Sequence, residues 1–130
     1  MKKILVVDDD YLSKNLLSRI FKGSFIVEGA SNGKEAIEKF RRENYDIVFL
    51  DIMMPLMTGM EVLKKIREYE KEKKVIESEK SVIIIVTALG EIENIETAYE
   101  MGCDLYLKKP ITIKNLREKL GELGIELKKI

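Results

Sequence analysis

The sequence predicts an α/β domain: a doubly wound, five-stranded parallel sheet with helices on both faces. Three observations carry this expectation. Five short apolar runs, rich in β-branched residues, alternate with five amphipathic segments. The runs are nearly continuous in hydrophobicity, as strands covered on both faces must be. Strict strand–helix alternation, finally, implies parallel strands joined by right-handed crossovers.

The predicted strands are residues 3–7 (KILVV), 25–28 (FIVE), 47–50 (IVFL), 82–86 (VIIIV) and 105–107 (LYL). The first is followed by Asp10, a good N-cap for a helix carrying Leu12 and Leu16. In the second helical segment Ala36, Ile37 and Phe40 form an apolar stripe, opposite Lys and Glu, and Asn32 precedes it as a cap. Its lead-in, GASNGKE, has the wrong length for a phosphate-binding loop and is read as a turn and cap. The third carries Val62, Leu63 and Ile66, with Thr58 and Glu61 spaced as a capping box. Residues 68–81 are dense in charge and are expected to form a helix projecting past the sheet, then a solvated connection. The fourth helix presents Ile95, Ala98, Tyr99 and Met101. The last begins near Thr112 and aligns Ile113, Leu116, Leu120 and Leu123. Gly121 and Gly124 each weaken it by ~1 kcal/mol relative to Ala, so continuation into IELKKI is left open.

With 130 residues, 45% hydrophobic and 35% charged, the chain is expected to form one globular domain, residues 1–130, with its core at 2 to about 120. Lys plus Arg and Asp plus Glu number 23 each, so no basic excess points to nucleic acid or a membrane surface. The longest apolar run, Val82 to Val86, cannot span a bilayer, and the acids after Val7 rule out a signal peptide. Cys103 is alone, which excludes an intramolecular disulfide, fits a reducing cytoplasm, and suggests a small core residue. There is no His, so His-dependent triads and His-ligated zinc are excluded.

Doubly wound sheets bind ligands at the carboxyl ends of their strands. There the first strand delivers Asp8 and Asp9, the third ends in Asp51, the fourth in Thr87, and Lys109 with Pro110 follows the fifth. Like charges a few ångströms apart repel by ~1 kcal/mol in water and by more when partly buried. Carboxylates with no His or Cys suit Mg²⁺, a hard cation that offsets this repulsion. A lysine and a hydroxyl on the same rim suit a phosphoryl group.

VVDDD (6–10), DIMMPLMTG (51–59), VTA (86–88) and YLKKP (106–110) occur in this order at the strand ends. Together they resemble the receiver domain of two-component response regulators, the stand-alone chemotaxis type being nearest in size. The resemblance covers residues 2 to about 120 and implies a flavodoxin-like fold with no room for an output domain. It further implies that Asp51 is a phosphoacceptor for a phosphohistidine on a sensor histidine kinase or phosphotransfer protein. Asp9, Asp51 and the Met53 carbonyl would ligate Mg²⁺ directly, and Asp8 through water, with Mn²⁺ expected to substitute. Lys109 and Thr87 would contact the phosphoryl group, leaving small Ala88 beside it. Tyr106 would act with Thr87 as a switch on the face of the fourth helix, fifth strand and fifth helix, where a downstream protein binds. Leu12, Asn15, Leu16 and Arg19, with Pro110 and Ile111, would dock the kinase. Met53 and Leu89, both apolar, would flank the acyl phosphate and slow its hydrolysis. Thr58 departs from the family's usual Asp, a change read as one N-cap for another.

Taken singly, the motifs have plainer readings. Asp10 is a helix cap, Lys108 a solvated neighbour of Lys109, and Met53, Met54, Met57 and Met60 loop and core packing. The rival of a different class is a haloacid-dehalogenase-type Mg²⁺-dependent phosphatase. Asp8 and Asp10 half meet its first motif, but Leu12 stands where Thr or Val belongs and no acidic pair ends a strand after Lys109. A degenerate, never phosphorylated module is disfavoured because Asp8, Asp9, Asp51, Thr87 and Lys109 are all present.

Overall fold

A computed structural model describes residues 2–88 and 92–125, with 92–94 by backbone only. Its five strands are β1 (Lys3–Val7), β2 (Ile26–Ala30), β3 (Ile47–Asp51), β4 (Val82–Thr87) and β5 (Leu105–Lys108). They form one parallel sheet in the order β2-β1-β3-β4-β5. The helices are α1 (Tyr11–Phe21), α2 (Gly33–Arg42), α3 (Gly59–Glu72), α4 (Ile92–Glu100) and α5 (Ile113–Glu122). The doubly wound expectation holds.

Alternate strand residues supply two cores, because successive side chains point to opposite faces of a sheet. Ile4, Val6, Phe49, Ile84 and Val86 pack with Leu17, Ile20 and Phe21 of α1 and Leu116 and Leu120 of α5. Leu5, Val7, Val48, Leu50, Ile83 and Ile85 pack with Ala36, Ile37 and Phe40 of α2, Val62, Leu63 and Ile66 of α3 and Ala98 of α4. The helix starts lie where the sequence puts them. Asp10, Asn32, Thr58 and Thr112 are N-caps, accepting from the backbone N–H groups of Leu12, Glu35, Glu61 and Asn115.

Three details differ from expectation, and the end of the last helix is one the sequence left open. The second strand is displaced to Ile26–Ala30, the third to fifth each run one residue further, and β2 is a partly exposed edge strand. Ile113 is exposed, although it belongs to the predicted stripe of α5. That helix ends at Glu122 and Gly124 takes a left-handed φ of +77°, open to glycine without a Cβ penalty. The charge-dense stretch 68–81, finally, is not simply solvated. Glu70 and Ser81 are buried: Arg67 donates to Glu70, to the carbonyls of Ser81 and Gly102, and to Asp104 at 2.7–2.9 Å. Glu70 also accepts the Ser81 N–H, and the Ser81 hydroxyl donates to the Tyr45 carbonyl. A charge pattern on one helix cannot reveal this, because the partners lie across α3, β4 and the turn before β5.

Candidate functional site

Parallel register assembles the site. Val7 pairs with Leu50, so the next residues, Asp8 and Asp51, leave adjacent strands side by side. Asp51 pairs with Val86, and Thr87 with Lys108, which brings Thr87 and Lys109 to the same edge. The ladders continue one step beyond the strands: Asp8 N–H donates to the Ala30 carbonyl at 3.1 Å, and Lys109 N–H to the Thr87 carbonyl at 2.8 Å.

Carboxylate oxygens of Asp8, Asp9 and Asp51 all lie within 4.8 Å of one another. Asp8 and Asp51 are only 3% and 7% exposed, whereas Asp9 faces solvent. The two buried acids are held alike. Asp8 Oδ1 accepts the Asp10 N–H at 2.8 Å, and Asp51 Oδ1 accepts the Met53 N–H at 3.1 Å. Their Oδ2 atoms face the same ammonium, Lys109 Nζ, at 2.9 Å from Asp8 and 3.6 Å from Asp51. Lys109 also donates to Ser13 Oγ at 3.3 Å, a contact with no sequence motif to announce it.

Burial first, and then the charge of Asp8, push the Asp51 pKa up to about 6, against the opposing pull of Lys109 and the Met53 N–H. Burial opposes the charge on Lys109, but the bond to Asp8 and the nearby Asp51 outweigh it and raise its pKa. The lysine therefore stays cationic, facing Asp8 and Asp51 of the three clustered acids. Three carboxylates with no imidazole or thiolate among them form a hard oxygen donor set, which fits Mg²⁺.

Thr87 is fully buried at the end of β4. Tyr106 is half-buried and packs against the core on the α2–α3–α4 side. Met53 is exposed beside Asp51, and Lys108 is exposed as expected. Leu89 lies outside the described residues. Asp10 does not join the acid cluster: Oδ1 caps Leu12 N–H at 3.1 Å and Oδ2 accepts the Ser13 hydroxyl at 3.1 Å. Met54 is buried, and Met57 and Met60 pack against the core, which leaves Met53 as the exposed one of the four.

Glycine sets the approach of α3 to the acid. A Cβ on Gly59 would lie 2.3 Å from the Asp51 carbonyl oxygen, so only glycine lets the helix start this close to the end of β3.

Three kinds of likeness agree with this geometry. Residues 4–121 match the family model of the response regulator receiver domain. The chemotaxis protein CheY of Halobacterium salinarum is 31% identical over 123 residues, which cover 94% of this chain and 96% of that protein. The response regulator TrrA of Thermotoga maritima, solved in complex with Mg²⁺ and BeF, superposes with a TM-score of 0.77 at 35% identity, covering 95% of this chain and 99% of that one. The receiver domain of Ssk1 of Saccharomyces cerevisiae, co-crystallised with the histidine phosphotransfer protein Ypd1, gives a TM-score of 0.82 at 27% identity over 95% of this chain and 88% of that one. Relatives differ widely in length: the chain spans nearly all of CheY but only 4% of a hybrid histidine kinase of Dictyostelium discoideum. Sheet order, clustered acids and sequence likeness over nearly the whole chain lead to one conclusion: the chain belongs to the response regulator receiver domain family, the phosphoacceptor modules of two-component signal transduction.

Proposed function

We propose that Asp51 accepts a phosphoryl group from a phosphohistidine on a sensor histidine kinase or histidine-containing phosphotransfer protein, in a Mg²⁺-dependent reaction. The observation that carries this reading is a buried aspartate that shares one lysine with Asp8, at the rim it forms with Asp8 and Asp9. A carboxylate oxygen of Asp51 forms the new O–P bond as the P–N bond breaks, and the imidazole leaves with the electron pair. The Met53 N–H orients the acid, and Lys109 offers its charge to a phosphoryl oxygen. Thr87 contributes its hydroxyl to another. Asp9, Asp51 and the Met53 carbonyl would hold Mg²⁺ directly, with Asp8 acting through water; Mn²⁺, also a hard divalent ion, should substitute. Bound there, the cation shields the acids from one another and adds positive charge where the transferred oxygens arrive.

Phosphorylation then biases Thr87 and Tyr106, and through them the α4–β5–α5 face, toward binding a downstream protein. The kinase side docks on α1, where Leu12 and Leu16 are exposed, with Asn15, Arg19, Pro110 and Ile111 completing the surface. The Ypd1–Ssk1 pairing supports a partner of this kind. A cytoplasmic location goes with that partner; no helix among the described residues is long and apolar enough to cross a membrane. The domain carries one phosphoryl group at a time and does not turn over phosphate esters. The haloacid-dehalogenase reading is disfavoured by Asp10, which caps α1 and accepts from Ser13 instead of joining the cluster of Asp8, Asp9 and Asp51.

Incubation with Mg²⁺ and acetyl phosphate, read by intact mass, tests the assignment. Wild type gains one phosphoryl group and Asp51→Asn gains none. An unchanged gain in Asp51→Asn overturns the acceptor, and sustained hydrolysis of phosphate esters overturns the class.

A further inference from the structure

We propose that Ser13, oriented by Asp10, is a positioning residue that holds the Lys109 ammonium away from Asp51 and keeps the acceptor carboxylate available. The inference rests on the assignment of Asp51 and Lys109 above, and it begins with which atom can donate to which. An ammonium has three N–H donors and no acceptor, and an ionised carboxylate only accepts. The hydroxyl hydrogen of Ser13 must therefore point to Asp10 Oδ2 at 3.1 Å, and its oxygen lone pairs face Lys109 Nζ at 3.3 Å. Asp10 Oδ1 is fixed in turn by the first turn of α1, at Leu12 N–H. The helix cap thus orients the hydroxyl, and the hydroxyl becomes a pure acceptor for the lysine.

The three N–H groups of Lys109 have three directions to go: Asp8 at 2.9 Å, Ser13 at 3.3 Å and Asp51 at 3.6 Å. The last is an ion pair beyond hydrogen-bonding length. Two anchors on the β1–α1 side therefore outweigh one on β3. Were the ammonium to close onto Asp51, it would engage an oxygen lone pair of the nucleophile and compete with a cation for the same carboxylate. Ser13, Asp8, Asp51 and Lys109 also line one cavity of about 10 Å³, so the four groups share a single small space. Removing the Ser13 oxygen enlarges that space and takes one acceptor from the ammonium on the α1 side, which leaves Asp51, at 3.6 Å, as the next carboxylate it can turn to.

The test compares Ser13→Ala, Ser13→Thr and wild type, all as the full chain. Alanine is a better helix former than serine, so the variant keeps α1. Three measurements are made: Mg²⁺ affinity by titration of the unphosphorylated protein, the initial rate of labelling by acetyl phosphate at saturating Mg²⁺, and hydrogen exchange of the Lys109 ammonium by ¹⁵N NMR without metal. Ser13→Ala is expected to bind Mg²⁺ about 3- to 10-fold more weakly, to label about 3- to 10-fold more slowly, and to shift the ammonium signal. These factors are those of one ordinary net hydrogen bond, as befits a contact as long as 3.3 Å. Ser13→Thr, which keeps the oxygen, restores all three. Wild-type values in Ser13→Ala, or a Ser13→Thr variant as impaired as the alanine one, overturn the proposal. A failure of the parent assignment is separately visible, as labelling that survives Asp51→Asn.

Discussion

Replacing Asp51 by Asn is expected to make the metal-free protein more stable at neutral pH, although it abolishes the proposed function. Burial and the neighbouring Asp8 raise the Asp51 pKa from 3.8 to about 6. Between those two values the folded state binds a proton that the unfolded state has released. Stability therefore falls as pH rises from about 4 to beyond 6, the opposite of a carboxylate whose pKa is depressed by folding. Two pKa units correspond to ~3 kcal/mol at pH 7, and this already includes the attraction to Lys109. The asparagine amide keeps an oxygen for the Met53 N–H but never ionises, and its imperfect accommodation trims the gain to ~1–3 kcal/mol. Urea unfolding followed by circular dichroism, in EDTA at pH 4 and pH 7, measures this directly. At pH 4 the Asn variant should be equal to wild type or somewhat less stable, and by pH 7 it should be the more stable of the two. Added Mg²⁺ should close the gap, because a ligand at 100 times its Kd stabilises the wild type by ~2.7 kcal/mol. An Asn variant no more stable than wild type at pH 7, or an advantage that grows toward acid, would refute the argument.

Three further outcomes are expected. Arg67→Ala leaves the buried Glu70 carboxylate without its guanidinium and should cost ~3–5 kcal/mol in urea unfolding; Arg67→Lys should recover little, because one ammonium cannot serve Glu70, Asp104 and two carbonyls at once. Gly59→Ala drives a Cβ into the Asp51 carbonyl and should lose ~2–3 kcal/mol together with Mg²⁺ affinity. Gly33→Ala meets side-chain atoms of Met57, Cβ at 2.8 Å among them, where Gly59→Ala meets backbone, and should cost less; the reverse order would show that backbone approach is not the constraint. Met53→Asn, at an exposed position beside Asp51, should speed decay of the acyl phosphate severalfold by admitting and orienting water, measured as loss of the phosphorylated mass after donor removal; slower decay contradicts the proposed shielding.

Much of the fold was legible because its signals are local. Caps at Asp10, Asn32, Thr58 and Thr112 depend on residues three or fewer positions away, and each lies where the sequence puts it. Strand identity follows from β-branched runs that stay apolar because both faces are covered. Strand ends were less legible: β2 runs to Ala30, which is buried although Glu28 and Gly29 interrupt the apolar pattern. The Arg67–Glu70–Ser81 cluster looked like a solvated charge run because its partners come from other elements.

The same division runs through the site. Sequence alone determined which residues reach the rim, since strand–helix alternation and motif spacing carry Asp8, Asp9, Asp51, Thr87 and Lys109 to the carboxyl ends of their strands. Only the tertiary structure decided how they divide one ammonium among them. It sets Asp8 and Asp51 side by side through the β1–β3 register, buries both while Asp9 stays in solvent, and turns Asp10 away to hold Ser13 against Lys109. The reason is physical: membership of the rim is set by position along a strand, whereas charge balance depends on distances of about 3 Å and on burial, which arise when separate strands and α1 pack together.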